Sequence, residues 1–270
     1  MNFLEKIIYA LSGKMDVPTI FGTWHLISLA LVIALTAFMV WKFKDCNDKT
    51  LRRILLIFWA VIVLFEVYKQ LVFSMSSDGV TAEWSYQWYV FPFQFCSTPI
   101  YLLPILVFAK DCKFRNAVMA YMVTFSLFAG LVVMIYPGDV FITIIGINIQ
   151  TMAHHGLQVV IGVFLAAHNR HHLNKRFFAW AMAAFTVLCG VALGLNTVMH
   201  YAKPDVGFNM FYISPFQNCT LPVLSEVYTK APYPVFLIVY ILGFTLVAAL
   251  VYTIEKAAAK ICTKIKHRND

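Results

Sequence analysis

Residues 149–167 read IQTMAHHGLQVVIGVFLAA, nineteen positions without an Asp, Glu, Lys or Arg. A helix crossing the hydrocarbon core of a bilayer needs about 20 mostly apolar residues, so this stretch is long enough to span. Its polar members are ordered. Gln150, His154 and Gln158 recur at every fourth position, and Thr151, His155, Gln158 and Gly162 form a neighbouring stripe at i, i+4, i+7 and i+11. Such groups are costly against lipid and turn toward protein or a wet cavity. The helix is therefore expected to face the interior of a bundle, which requires other spans around it.

Six further apolar stretches supply them: residues 24–41, 54–73, 93–109, 117–136, 177–199 and 235–252. Composition agrees. The chain is 61% hydrophobic and 13% charged, about half the charge of a soluble domain. That excludes a water-soluble globule, a disordered chain and a disulfide-dense miniprotein. A β-barrel is excluded because the apolar runs are long and continuous rather than short and alternating. The expected fold is all-α, a polytopic membrane bundle of seven transmembrane helices forming one integral membrane domain over residues 1–270. Pro99 and Pro104 should kink the span 93–109 unless neighbours satisfy the freed carbonyls. Residues 140–148 are apolar too, so the fifth helix is expected to be longer and tilted, or to begin with a re-entrant piece. Residues 1–20 show no signal-peptide pattern. Phe3, Leu4, Ile7, Ile8 and Leu11 instead suggest a short helix lying in the interface.

The net charge is +8. Basic residues sit between spans, with no basic–aromatic patch and no Gly-rich phosphate loop, so nucleic acid is not an expected partner. The connections after the first, third and fifth spans, with the tail 253–270, hold 16 Lys and Arg; the N-terminal segment and the other connections hold 4. This alternation places the N-terminus outside and a basic tail in the cytoplasm, facing an anionic inner leaflet. The expected location is the plasma membrane. The long outer connection, residues 201–233, carries four prolines among aromatics. It suits either a lid over an outward-facing cavity or an interfacial loop.

At 1.5 Å per residue, Glu66 and Lys69 lie about 10 and 6 Å below the outer end of the second span, Cys96 about 5 Å below that of the third, and His155 about 9 Å below that of the fifth. His25, Asn196, His200 and Gln94 lie near the same level. A candidate site therefore belongs to the outer leaflet half. Glu66 and Lys69 can equally pair with each other, and Cys96 alone reads as a small buried hydrophobe. Cys219, also outside, could oxidise with Cys96. No C-x-x-C spacing occurs, so no metal or cofactor is expected.

Phe91-Pro92-Phe93-Gln94-Phe95-Cys96 opening a span, His155-Gly156-Leu157 on a later one, and Phe21-Gly22-Thr23-Trp24-His25 at the first resemble the YwaF-like integral membrane proteins, which belong with the transmembrane protein 164 family. The resemblance covers most of the chain. It implies an acyltransferase or transacylase in which Cys96 is the nucleophile and His155 its partner, moving a fatty acyl group between phospholipid and lysophospholipid. The histidine is doubled here, so His154 is an alternative partner. Ser97-Thr98 follow the cysteine, where the animal proteins are expected to carry a histidine. Glu66, Gln158, Asn196 and His25 are supporting candidates. The chemistry is coherent, since a thiol needs an adjacent base to become a nucleophile. Acyl-CoA is cytoplasmic, so an outer site implies a membrane phospholipid as donor. The alternative is a non-enzymatic transporter or lipid-binding protein using the same polar pocket. A seven-helix receptor follows from span count alone, and a retinal version is disfavoured because span 235–252 has no lysine.

Overall fold

The computed structural model of the protein describes residues 1–269, with side chains described through Ile261. The basic residues of the tail beyond that point lie outside the described side chains. A short first helix, α1 (Phe3–Leu11), starts at Asn2. The Asn2 Oδ1 accepts from Glu5 N at 2.9 Å, and Glu5 Oε2 accepts from Asn2 N at 2.6 Å, so two orphan amides are satisfied reciprocally. Only Ile8 of α1 is buried, as expected of a helix lying against the end of a bundle.

The remaining helices are α2 (Thr23–Phe43), α3 (Asp48–Ser74), α4 (Pro99–Phe108), α5 (Lys113–Tyr121), α6 (Leu127–Ile135), α7 (Ile145–His168), α8 (Lys175–Ala202), α9 (Leu224–Lys230) and α10 (Tyr233–Asn269). A two-stranded hairpin, β1 (Met75–Ser77) and β2 (Ala82–Trp84), follows α3. A π turn at Met122–Ser126 joins α5 to α6 as one rod. Six helices are long and apolar enough to cross a membrane: α2, α3, α5–α6, α7, α8 and α10. Exposed Leu31, Ile33, Leu64, Val187 and Leu246 cover their outer faces, a surface that water would not tolerate. The chain is a multi-pass integral membrane protein.

The expected third span has a different form. Its helix α4 has ten residues, about 15 Å long, half the thickness of a hydrocarbon core. The segment nevertheless runs antiparallel to α3 along most of its length. Gln70 Nε2 donates to Val90 O at 2.8 Å, Trp59 Nε1 to Ile100 O at 2.9 Å, and Arg52 Nη1 to Val107 O and Ala109 O at 2.5 and 2.9 Å. From residue 70 to residue 52 is about 27 Å of helix.

The prolines explain the irregularity. Pro104 has no N–H to give Ile100 O, and Trp59 donates to that carbonyl instead. Pro99 removes the donors from the carbonyls ahead of it, and Thr98 Oγ1 donates to Phe95 O at 2.9 Å. The freed carbonyls are met from neighbouring side chains, as a span containing proline requires.

The fifth span begins at Ile145, absorbing part of the apolar 140–148 stretch. Together with the α5–α6 rod it is the centre of the bundle. Apolar windows of α7 and α5–α6 are 78% and 72% buried, against 22% or less for the other four. Two glycines permit this central contact. A Cβ on Gly130 would lie 2.7 Å from His155 O and 2.8 Å from Gln158 Cβ, and one on Gly162 would lie 2.6 Å from Leu127 Cβ. Small residues let spans approach to backbone contact.

The long connection after α8 folds inward. Phe208, Met210, Phe211, Ile213 and Cys219 are buried in the core. Asn196 Nδ2 donates to Met210 O and its Oδ1 accepts from Met210 N; Gln94 grips Asn209 O and Phe211 N in the same two-sided way; Tyr240 donates to Phe211 O. These bonds hold Phe211 and Tyr212 at φ of 59° and 57°, a left-handed conformation costing roughly 1–2 kcal/mol per residue. The segment is an inserted plug packed into the core.

Candidate functional site

Cys96 is the middle residue of the tight turn Phe95–Ser97 that precedes α4. In a continuous helix its carbonyl would accept from the amides three or four residues on. Pro99, three residues on, has no amide hydrogen, and the chain passes there from the tight turn into α4 without closing the Ile100 amide onto this carbonyl, which accepts from His154 Nε2 at 2.9 Å and Gln158 Nε2 at 2.6 Å. The sequence Cys96-Ser97-Thr98-Pro99 thus frees a backbone acceptor, and the polar stripe of α7 supplies the donors.

These contacts fix the imidazole tautomers. A carbonyl only accepts, so His154 carries its proton on Nε2 and its Nδ1 is a lone pair. That Nδ1 is buried without a partner. His155 is oriented differently: its Nδ1 lies 2.8 Å from Thr151 O, so the proton sits there and Nε2 is the basic nitrogen. The two rings lie edge to face, 5.3 Å apart. His154 meets Cys96 through the carbonyl, not through the sulfur. All five polar residues of the two stripes, Gln150, Thr151, His154, His155 and Gln158, are buried, in keeping with the interior face expected for this helix.

Helix α3 supplies the facing charges. The Glu66 Oε1 accepts from Lys69 Nζ at 2.9 Å and from Gln70 Nε2 at 2.6 Å. Glu66 and Lys69 lie in electrostatic range of both the Cys96 thiol and the His154 ring. Gln70 escaped the sequence reading, although its spacing of four from Glu66 puts the two on one face. Glu66 Oε2, Gln70 Oε1 and Gln158 Oε1 are buried without donors, like His154 Nδ1. These side chains leave four acceptor atoms unmatched.

Two candidates are placed elsewhere. His25 is fully buried; its Nδ1 accepts from Phe21 N at 2.9 Å and its Nε2 donates to Met134 O at 2.7 Å. With both nitrogens engaged, it ties the start of α2 to the end of α6. Asn196 is the clamp on Met210 described above. Cys96 and Cys219 are both free thiols, so no disulfide diverts Cys96 to a structural role. Among the described residues, no three His, Cys, Asp or Glu side chains converge as a metal-binding set.

Comparison with known proteins adds one match: the model of the TMEM164 family aligns with residues 20–252. No curated protein and no solved structure matches the chain.

Proposed function

The chain belongs to the TMEM164 family, and we propose that it is a membrane-embedded acyltransferase working through Cys96 and an α7 histidine. The observation that carries this reading is the double grip of His154 and Gln158 on the Cys96 carbonyl. It fastens the Cys96 backbone to His154, whose ring lies 5.3 Å from that of His155, and each ring keeps one nitrogen without a hydrogen-bond partner. His155 is the proposed base, because Thr151 anchors its Nδ1 and leaves Nε2 for the proton. His154 and Gln158 are positioning residues.

In the first half-reaction the base removes the Cys96 proton and the sulfur attacks the ester carbonyl carbon of a phospholipid. The tetrahedral intermediate breaks its C–O bond, the imidazolium protonates the departing oxygen, and a lysophospholipid leaves an S-acyl cysteine behind. In the second, a lysophospholipid hydroxyl gives its proton to the same imidazole and attacks the thioester. The C–S bond breaks and the sulfur recovers the proton. No cofactor enters either half. The excess of unpaired acceptors supports a lysophospholipid as acyl acceptor: a diacyl phospholipid offers mainly acceptors, whereas a lysophospholipid brings an O–H.

The topology that accompanies this reading has seven crossings, the segment 93–109 being the third, with the N-terminus outside and the C-terminus in the cytoplasm of a plasma-membrane protein. Its supports are the 16-to-4 basic asymmetry and the antiparallel run of that segment along α3.

The test is mass spectrometry of the Cys96 peptide from the full chain in phosphatidylcholine vesicles, with transfer to added lysophospholipid followed in parallel. Wild type is expected to carry an acyl mass on Cys96; Cys96→Ala and His155→Ala lose both adduct and transfer, while His154→Ala keeps part of them. Full transfer by Cys96→Ala refutes the proposal. One observation favours the non-enzymatic alternative, the unpaired Glu66 Oε2 beside Lys69. Lipid or ion movement abolished by Glu66→Gln yet intact in Cys96→Ala would select it.

A further inference from the structure

At the end of the bundle opposite Cys96, α5 and α8 pack side by side, and a cavity of about 460 Å³ opens between their first turns. Lys113, Arg115 and Arg176 supply positive charge to its walls, Asn116 and Asn174 supply amides, and Asp111 is a carboxylate among them.

The cations are arranged unequally. Arg115 is only 7% exposed; its Nε donates to Leu106 O at 3.2 Å and its Nη2 to Asp48 Oδ1 at 3.0 Å. This guanidinium is held in place, and Asp48 offsets its charge. Arg176 lies over the face of Trp180, 5.9 Å from the ring centre. Among the described residues, neither Lys113 nor Arg176 has an ion-pair partner. The backbone contributes independently. Asn174 caps α8 by accepting from Phe177 N at 3.1 Å, but α5 starts at Cys112 with no side-chain cap. The first amides of α5 therefore lack side-chain acceptors, beside two unpaired cations and one fixed guanidinium. Helix N-termini and guanidinium forks are both suited to a tetrahedral oxyanion.

We propose that this cavity binds a phosphate group, carried either by a lipid headgroup or by a soluble phosphoester. The site is separate from the acyl-transfer reading and stands without it. It also differs from general attraction to an anionic leaflet, which any basic residue at this end would provide.

The experiment uses the full chain and two probes. Inorganic phosphate is titrated by phosphorus NMR, and phosphatidic acid in phosphatidylcholine nanodiscs is followed by native mass spectrometry. At least one probe is expected to bind saturably, and the double variant Lys113→Gln/Arg176→Gln to bind it about tenfold more weakly. The control, Lys42→Gln/Lys44→Gln, removes equal charge from the same end outside the cavity and is expected to change binding by no more than about twofold. Binding of inorganic phosphate alone assigns a soluble phosphoester, binding of phosphatidic acid alone assigns a headgroup, and both support the site. Arg176→Lys, which keeps the charge and loses the fork, is expected to bind less tightly than wild type, and it serves if the double variant does not fold. Saturable binding by neither probe overturns the proposal, as does equal loss in the cavity and control variants.

Discussion

Gln158→Leu and His154→Leu each remove one donor from the Cys96 carbonyl while leaving an apolar side chain in the space. In either single variant the carbonyl keeps its other partner. The loss is then one ordinary hydrogen bond, about 0.6–1.5 kcal/mol, reduced because each substitution also deletes an unpaired acceptor, Gln158 Oε1 or His154 Nδ1. The double variant differs in kind. Pro99 cannot donate, so the part-buried carbonyl loses both of its side-chain donors with no amide three residues on to replace them, and an orphaned group costs up to about 1–3 kcal/mol. The double loss should exceed the sum of the singles by about 1 kcal/mol or more. Pro99→Ala restores an N–H three residues beyond Cys96 and is expected to remove part of that excess. The assay is reversible unfolding of the full chain in micelles, paired with the rate of maleimide addition to Cys96 in a chain carrying no other cysteine. The double variant should react fastest, because the turn is no longer fastened to α7. Additivity within about 0.3–0.5 kcal/mol, or indifference to Pro99→Ala, would refute the account of the turn.

Trp59→Phe takes the donor from Ile100 O and is expected to cost about 1 kcal/mol. In a Pro104→Ala background the new amide reaches the same carbonyl, so the cost should largely vanish; equal losses in both backgrounds would contradict the assignment. Gly130→Ala places a methyl against His155 O and Gln158 Cβ, expected to cost about 1–3 kcal/mol by overpacking and to lower acyl transfer by displacing the stripe. Gly243→Ala, with nothing within 4 Å of the new carbon, is the control and should leave the melting temperature unchanged or raise it. In the hairpin, backbone hydrogen bonds from Thr81 and Val80 hold the Asp78 carboxyl below the usual carboxylate range. A depressed folded value means the stabilisation is present above the ordinary value, near about pH 4, and is lost as pH falls through the folded one. Exchange of the Val80 and Thr81 amides should therefore show a loss of protection on acidification that Asp78→Asn lacks.

What the sequence made legible follows the length over which each signal acts. Apolar runs of twenty residues and a stripe at helical spacing are properties of one helix, and the interior face of α7 and the six long helices could be read from them. The form of the third span could not. Pro99 and Pro104 announced a defect, but the groups that mend it, Trp59 and the pair His154 and Gln158, stand 41, 58 and 62 residues from the carbonyls they meet. The inserted plug is fastened across 115 and 117 residues by Gln94, and two of its residues adopt a left-handed conformation that local preference opposes.

Polar residues within spans show the same division. Burial cost marks a residue as having some partner without saying which. His25 and Asn196 met that criterion as fully as His154 and Gln158 did, yet the first two hold backbone at both of their polar atoms and have nothing left for a guest. His154 and Gln158 use one polar atom on Cys96 and keep another unpaired. Among these four residues, the number of polar atoms left unpaired after folding separates a fastening residue from a candidate site residue. That number depends on the rotation of α7 against the Cys96 turn, which a one-dimensional pattern does not contain.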